Sequence, residues 1–261
     1  MTNRDILDIA LRQSAVDLNC SAGDFLLNEH RIVRSAAREG ARAYLRLPFE
    51  CQLVSYGNNV VASVLPEFEE ITRVYLNGQP AHRCFETPNM HRLDDQLLPR
   101  GVRVCFMAEY FLPDANALMP LPCPFETRVL GPADFSGLYK PEWRNALSEA
   151  RPQLDVLGVG AYDGDMLVGL AGCSADCESM WQIGVDVLPE YRRRGVASAL
   201  TSNLALEILA RGKTPFYCAA WSNIRSARNA IRSGFRPAWV EMTARSLSFI
   251  RGLGEEGSGT A

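Results

Sequence analysis

No apolar run approaches the roughly 20 residues that span a bilayer, and Met1 to Arg12 carries charge in every turn, with no apolar core of a secretion signal. Both absences lead to the expectation of a cytoplasmic protein that does not engage a membrane. Global positive charge is missing too. A formal net charge of −3 excludes the broad basic field that holds nucleic acid, so any anion site must be local. Histidine is scarce. His30, His82 and His91 are neither close in sequence nor spaced as ligands, and no metal site is expected. The eight cysteines (Cys20, Cys51, Cys84, Cys105, Cys123, Cys173, Cys177 and Cys218) contain no CxxC pair and sit mostly in apolar runs, so they read as buried reduced thiols. There is no Gly-x-x-x-x-Gly-Lys-[Ser/Thr] and no Gly-x-Gly-x-x-Gly after a strand, so phosphates of ATP or NAD are not indicated by the usual loops.

What is present is enough for a sizeable core: 261 residues with 47% hydrophobic content. Pro113, Pro120, Pro122 and Pro124 cluster where neither a helix nor a central strand would accept them, which places a domain boundary near residue 125. The expected division is an N-terminal α+β domain over 1–125, a second domain over 126–250 and a disordered Gly/Glu/Ser-rich tail over 251–261. The first half reads as a helix (Asp5 to Leu18), a short helix near Asp24, and a hairpin of Cys51 to Leu65 around Gly57-Asn58-Asn59. A helix from Pro66 to Val74 and a strand from Val102 to Phe111 follow.

The second half is more regular. A strand at Glu126 to Leu130 leads to Ala133 to Leu147, helical in parts with a break near Pro141. Val156 to Tyr162 and Met166 to Cys173 flank Asp163-Gly164-Asp165, a strong hairpin signal. Trp181 to Leu188 is a strand, and Val196, Leu200, Leu204 and Ile208 recur every four residues on the helix after it. A buried strand at Phe216 to Trp221, a helix capped by Asn223 and ended by Gly234, and a strand at Arg236 to Arg245 complete the half.

Between the Trp181 strand and its helix stands Arg192-Arg193-Arg194-Gly195-Val196-Ala197. Backbone N–H groups at a helix start lack intrahelical partners, the helix dipole adds positive charge there, and Gly195 has no Cβ to keep a phosphate away. The loop is an anion site in layout.

The order of these elements resembles the GNAT superfamily of acyl-coenzyme A dependent N-acetyltransferases. Val187-Leu188-Pro189 matches the V-x-P strand end of that superfamily, Arg192 through Gly195 to Ala197 matches its Q/R-x-x-G-x-G/A loop, and Asn223-Ile224-Arg225-Ser226 with Gly234-Phe235 matches its second motif. The longer layout, with a region ahead of the acetyltransferase half, resembles the bacterial group that includes the zwittermicin A resistance acetyltransferase. The resemblance implies a mixed α/β fold with a mostly antiparallel sheet flanked by helices, and the N-terminal α+β content suits a degenerate copy of it. It implies acetyl-coenzyme A as cofactor, coenzyme A as product, and a primary amine of a small molecule as acceptor by direct attack on the thioester. Cofactor contacts are then expected from Val187, Leu188, Arg192, Arg193, Arg194, Gly195, Val196, Ala197, Ser198, Asn223 and Ser226.

An amine with a pKa near ~10 is mostly protonated at pH 7, so a base is expected. Asp176, Glu178 and Asp186 are the nearby carboxylates, with Glu178 favoured and Asp186, flanked by Val185 and Val187, also open to a structural role. Many superfamily members place a tyrosine acid seven residues after the motif Asn, but Ala230 stands there and no tyrosine follows Tyr217. Either the thiolate, itself a fair leaving group, departs with help from water, or Ser226 or Cys218 contributes, or the chain binds or senses acyl-coenzyme A without turnover. A protein or peptide acceptor is the other alternative, and the expected state is a monomer or homodimer.

Overall fold

The structure, a computed structural model, describes residues 1–257. In chain order its elements are α1 (Asn3–Leu18), β1 (Arg31–Arg34), β2 (Cys51–Ser55), β3 (Val61–Val64), α2 (Glu69–Leu76), α3 (Thr87–Leu97), β4 (Val102–Pro113) and β5 (Glu126–Leu130). Then come β6 (Asp155–Asp163), β7 (Met166–Ser174), β8 (Met180–Val187), α4 (Val196–Ala210), β9 (Thr214–Ala220), α5 (Ile224–Arg232), β10 (Phe235–Ser246) and α6 (Leu247–Gly257). The fold is mixed α/β, with mostly antiparallel strands flanked by helices. No helix among the described residues is long and apolar enough to cross a membrane.

The chain forms two compact units: Met1–Ala10 with Tyr110–Ala238, and Leu11–Glu109 with the chain from Trp239 onward. The boundary expected near residue 125 falls inside the first unit. The proline-rich stretch is a strap on that unit's core, where Leu118, Cys123 and Phe125 pack. Ser202 Oγ donates to the Met119 carbonyl, and a Cβ on Gly234 would lie 2.7 Å from Leu118 Cα. The end of β10 belongs instead to the second unit, because Val240 to Ala244 pair antiparallel with Ser55 to Cys51 of β2. The tail expected to lack structure from residue 251 is helical to Gly257; residues 258–261 lie outside the described residues.

In the second unit the strand order is β1-β3-β2-β10-β4. β2 and β3 form the expected hairpin, from Cys51↔Val64 to Val54↔Val61. The edge strand β1 and the helix α3, neither foreseen in the sequence, complete this unit, with β1 parallel to β3. Leu53, Ala62, Val64, Met242 and Ala244 bury one sheet face against Tyr75 and Leu76 of α2 and Leu93 and Leu97 of α3. Cys51 and Cys84 lie in this core, and burial pushes their thiols up to about 12 and about 11. Only the thiolate is nucleophilic, so both should resist iodoacetamide at pH 8 in the native protein and react in denaturant, as mass spectrometry of alkylated peptides would show.

In the first unit the order is β9-β8-β7-β6-β5, antiparallel except for the parallel pair β8 and β9. Val196, Leu200, Leu204 and Ile208 of α4 are buried against one face, as their four-residue spacing predicts. Over the other face Phe135, Trp143, Ala146 and Leu147 close on Leu130 and Leu170. The segment Ala133 to Leu147, expected to be helical in parts, supplies only short 3-10 turns at Pro132–Phe135 and Pro141–Trp143.

Candidate active site

The site is organised by a parting of strands. β8 and β9 pair from Met180↔Thr214 to Ile183↔Tyr217 and no further. Gly184 to Val187 stay bonded to β7, from Gly172↔Gly184 to Gly169↔Val187, so β8 continues in the sheet while its contact with β9 ends. A gap between two adjacent strands leaves backbone donors and acceptors unpaired, and an extended ligand can satisfy them.

At the end of β8 the chain makes a 3-10 turn at Pro189–Tyr191 and enters the arginine loop. Arg192 turns back, and its Nε donates to the Val187 carbonyl at 2.8 Å, so it holds the loop to the strand end. Arg193 and Gly195 both take left-handed backbone, with φ of 63° and 82°. Glycine suits that conformation; arginine adopts it at a cost of about 1–2 kcal/mol. Arg194 packs over the Tyr191 ring, 5.6 Å to its centroid, and Tyr191 donates to Asp163 Oδ2 at 3.1 Å. The first intrahelical bond of α4 runs from Ala199 N to Gly195 O, which leaves the N–H groups of Val196, Ala197 and Ser198 without intrahelical acceptors. Nothing lies within 4 Å of where a Cβ on Gly195 would stand. Exposed donors, a helix N-terminus and open space at the glycine fit a pyrophosphate.

Asn223 caps α5: its Oδ1 accepts from Ser226 N at 3.2 Å, leaving the amide NH2 as a donor. Ser226 Oγ pairs with Tyr217 Oη at 2.9 Å, and burial pushes the Tyr217 phenol up. Tyr217 is the last residue of β9 paired with β8, so a protonated phenol stands where the gap begins. Sequence reasoning passed over it because it precedes the motif Asn. Ala230 is fully buried in the core shared with α4. Ser198, one of the expected cofactor contacts, donates its Oγ hydrogen to Asn229 Oδ1 at 3.2 Å, which ties α4 to α5.

The carboxylates separate by role. Glu178 is exposed in the bend before β8, beyond the paired stretch from the gap, so the structure does not bring it to the strand opening. Asp186 carries a loop: Oδ2 accepts from Asn145 N at 2.8 Å and Ala146 N at 3.0 Å, and Oδ1 accepts from Asn145 Nδ2 at 2.6 Å. The sheet makes room for that loop with a row of glycines, Gly158↔Gly172↔Gly184, across three strands. A Cβ on Gly172 would stand 2.1 Å from Ala146 O, and one on Gly184 only 1.7 Å from Asn145 O. Since the obstacle is backbone, Gly184→Ala should lower stability by about 3 kcal/mol in urea unfolding, at the upper end of overpacking costs.

Asp155 at the start of β6 is buried, which pushes its carboxyl up; its Oδ2 accepts from Ser148 N at 2.8 Å. Gln182 Nε2 contacts Cys218 Sγ at 3.1 Å on the same sheet face as the Asn145 loop.

No curated protein matches the sequence. Among solved structures, a GCN5-related N-acetyltransferase-like protein from Streptococcus suis shares 21% identity over 60% of this chain and 69% of its own, with a TM-score of 0.45. An acetyltransferase from the GNAT family of Colwellia psychrerythraea shares 14% identity over 71% and 76%, with a TM-score of 0.44. A GCN5-related N-acetyltransferase from Sphaerobacter thermophilus shares 15% identity over 93% of both chains, with a TM-score of 0.46. Residues 153–238, which hold β6 to β9, the arginine loop, α4 and α5, match the model of the GNAT acetyltransferase family, and that match implies acetyl transfer.

Proposed function

We propose that the protein is an N-acetyltransferase that moves the acetyl group of acetyl-coenzyme A to a primary amine of a small molecule by direct attack on the thioester. The observation that carries this reading is the parting of β8 from β9 beyond Ile183↔Tyr217, with the donor-rich loop 193–198 at the end of the same strand. In this reading the N–H groups from Arg193 to Ser198 hold the pyrophosphate, with Arg192 and Arg194 shaping the loop. The backbone at Val187 and the amide of Asn223 hold the arm on either side of the gap, whereas Leu188, expected to share in this, spends its N–H on the Val168 carbonyl and its carbonyl on Tyr191 N. When bound, acetyl-coenzyme A supplies an activated acyl group.

This chain's own residues then position and exchange protons. Asp186 fixes the loop of Asn145 and Ala146 on the acceptor side of the sheet, which makes it a positioning residue. The Ser226 and Tyr217 hydroxyls share a hydrogen bond beside the gap and hold the proton that the leaving thiolate needs. Tyr217→Phe should therefore lower kcat while KM for acetyl-coenzyme A stays unchanged; a change in KM alone would make the pair a binding element. The narrower resemblance to the group of the zwittermicin A resistance acetyltransferase, which points to an amino-bearing antibiotic as acceptor, rests on layout and belongs to this proposal. So do the cytoplasmic location and the monomeric or homodimeric state.

The test is incubation of the pure protein with acetyl-coenzyme A and a panel of primary amines, following thiol release. Turnover above background with at least one amine is expected. A coenzyme A melting shift without turnover on any amine would instead support an acyl-coenzyme A sensor, the reading favoured by the missing tyrosine at Ala230.

A further inference from the structure

Beside the paired part of β8 lies a second feature that acetyl transfer as such does not use. Register sets Asp155 of β6 opposite Ser174 of β7, and Ser174 opposite Gln182 of β8. This polar row crosses three strands on the face covered by the Asn145 loop. It lines a cavity of about 180 Å³ together with Asp176 and Arg151, and the exposed Arg144 also lines it. Asp176 is 4% exposed. Its Oδ1 is held by Arg151 Nη1, but its Oδ2 is buried without a hydrogen-bond partner, and so is Ser174 Oγ. A buried carboxylate oxygen left unpaired costs about 1–3 kcal/mol or more, so the cavity is poised for a hydrogen-bond donor, and a charged donor gains most.

The geometry points to an ammonium-binding subsite: Asp176 Oδ2 and Ser174 Oγ accept from a primary ammonium group of the acyl acceptor. The inference rests on the reading that the gap between β8 and β9 receives the thioester. The cavity lies beside Gln182 and Ile183, where β8 and β9 are still paired, and the gap opens only beyond them. The nitrogen held in the cavity is therefore an anchor. The nitrogen that attacks stands two or three strand residues further on, roughly 7–10 Å away at the rise of a β-strand. The acceptor class that fits is a compact diamine, or an amino compound with a second ammonium at that reach. A volume of about 180 Å³ admits a primary ammonium and its first carbons, well below the ~300 Å³ at which pockets begin to take whole drug-sized ligands.

Amide NMR on the full-length protein tests the site without any turnover. Methylammonium chloride should give saturable shifts at the amides of 174–176 and 182–184, and tetramethylammonium, which has no N–H donor, should give none. Asp176→Asn should weaken methylammonium binding about tenfold, as expected for one charge-assisted hydrogen bond. Ser174→Ala, which leaves the pair of Asp176 with Arg151 intact, should weaken it less and covers the case in which the first variant unfolds. No saturable shift from methylammonium, equal shifts from both cations, or full binding by both variants would overturn the subsite. In turnover, cadaverine should exceed n-pentylamine in kcat/KM by about tenfold, and Asp176→Asn should level the two. Equal use of both amines by the unmodified protein would overturn the diamine assignment. Coenzyme A shifts at 193–198 report the acetyltransferase reading separately, so methylammonium binding without them would sink that reading and leave the ammonium site standing.

Discussion

If coenzyme A binds as proposed and raises the melting temperature, Gly195→Asp is expected to abolish that rise, whereas Arg193→Ala only reduces it. The difference follows from what each residue does in the loop. Gly195 is the N-cap of α4 at φ 82° and ψ 0°, and open space lies where its Cβ would be. An L-residue in this conformation costs about 1–2 kcal/mol, and a carboxylate at that point sets negative charge against the phosphates at the positive end of the helix. Gly195→Ala separates the two effects: it carries the strain without the charge, so it should lower stability and keep part of the binding. Arg193 contributes a screened exposed charge, so its loss removes attraction and leaves the backbone donors in place. Equal loss of binding in Gly195→Asp and Arg193→Ala would show that side-chain charge, and not backbone, holds the anion.

The second large effect lies in the other unit. The Arg42 side chain is 1% exposed, with Nε 3.3 Å from Asp17 Oδ2 and Nη1 3.7 Å from Glu241 Oε1. Its guanidinium lies 5.4 Å from the Trp239 ring centroid. Asp17 Oδ1 also accepts from Arg42 N at 2.9 Å and Gln13 Nε2 at 3.0 Å, and Glu241 Oε1 accepts from Trp239 Nε1 at 2.8 Å. Arg42→Ala strands two buried carboxylates, and breaking a buried ion pair from one side costs about 3–5 kcal/mol. Chemical unfolding measures that loss. Replacing Asp17, Arg42 and Glu241 together with apolar residues of similar volume should recover most of it, because the desolvation of three charges disappears with the charges. A loss below about 1 kcal/mol in Arg42→Ala would mean that water reaches the cluster and screens it.

Local signals were legible where neighbours in sequence decide the structure. The hairpin of β6 and β7 turns at Asp163-Gly164-Asp165 as its composition predicts, α4 buries its four-residue stripe, and Asn223 caps α5. What escaped depends on distant partners. Asp186 could be placed on a strand from sequence, but the N–H groups it accepts from lie at Asn145 and Ala146, about forty residues earlier, and only the fold joins them. The glycine row that admits this loop and the polar row of Asp155, Ser174 and Gln182 exist through register, which a single strand's pattern does not contain. Glu178 is the base that the resemblance favours, because acyltransferases of that kind often carry a Glu early on this strand. Its bend lies across the paired stretch from the gap, and strand length along β8 sets that distance. Arg42 gave no signal either, since a lone arginine in a loop is ordinarily solvated and its burial rests on Asp17 and Glu241.

In the proposed complex, coenzyme A lies on the loop after β8 and in the gap beside it. Amide hydrogen exchange with and without coenzyme A locates the ligand. Slower exchange is expected in Arg193 to Ser198 and in Asp186 to Leu188, with little change in Cys51 to Val64 of the other unit. Unchanged exchange in both stretches at saturating coenzyme A, or protection confined to the other unit, would contradict it.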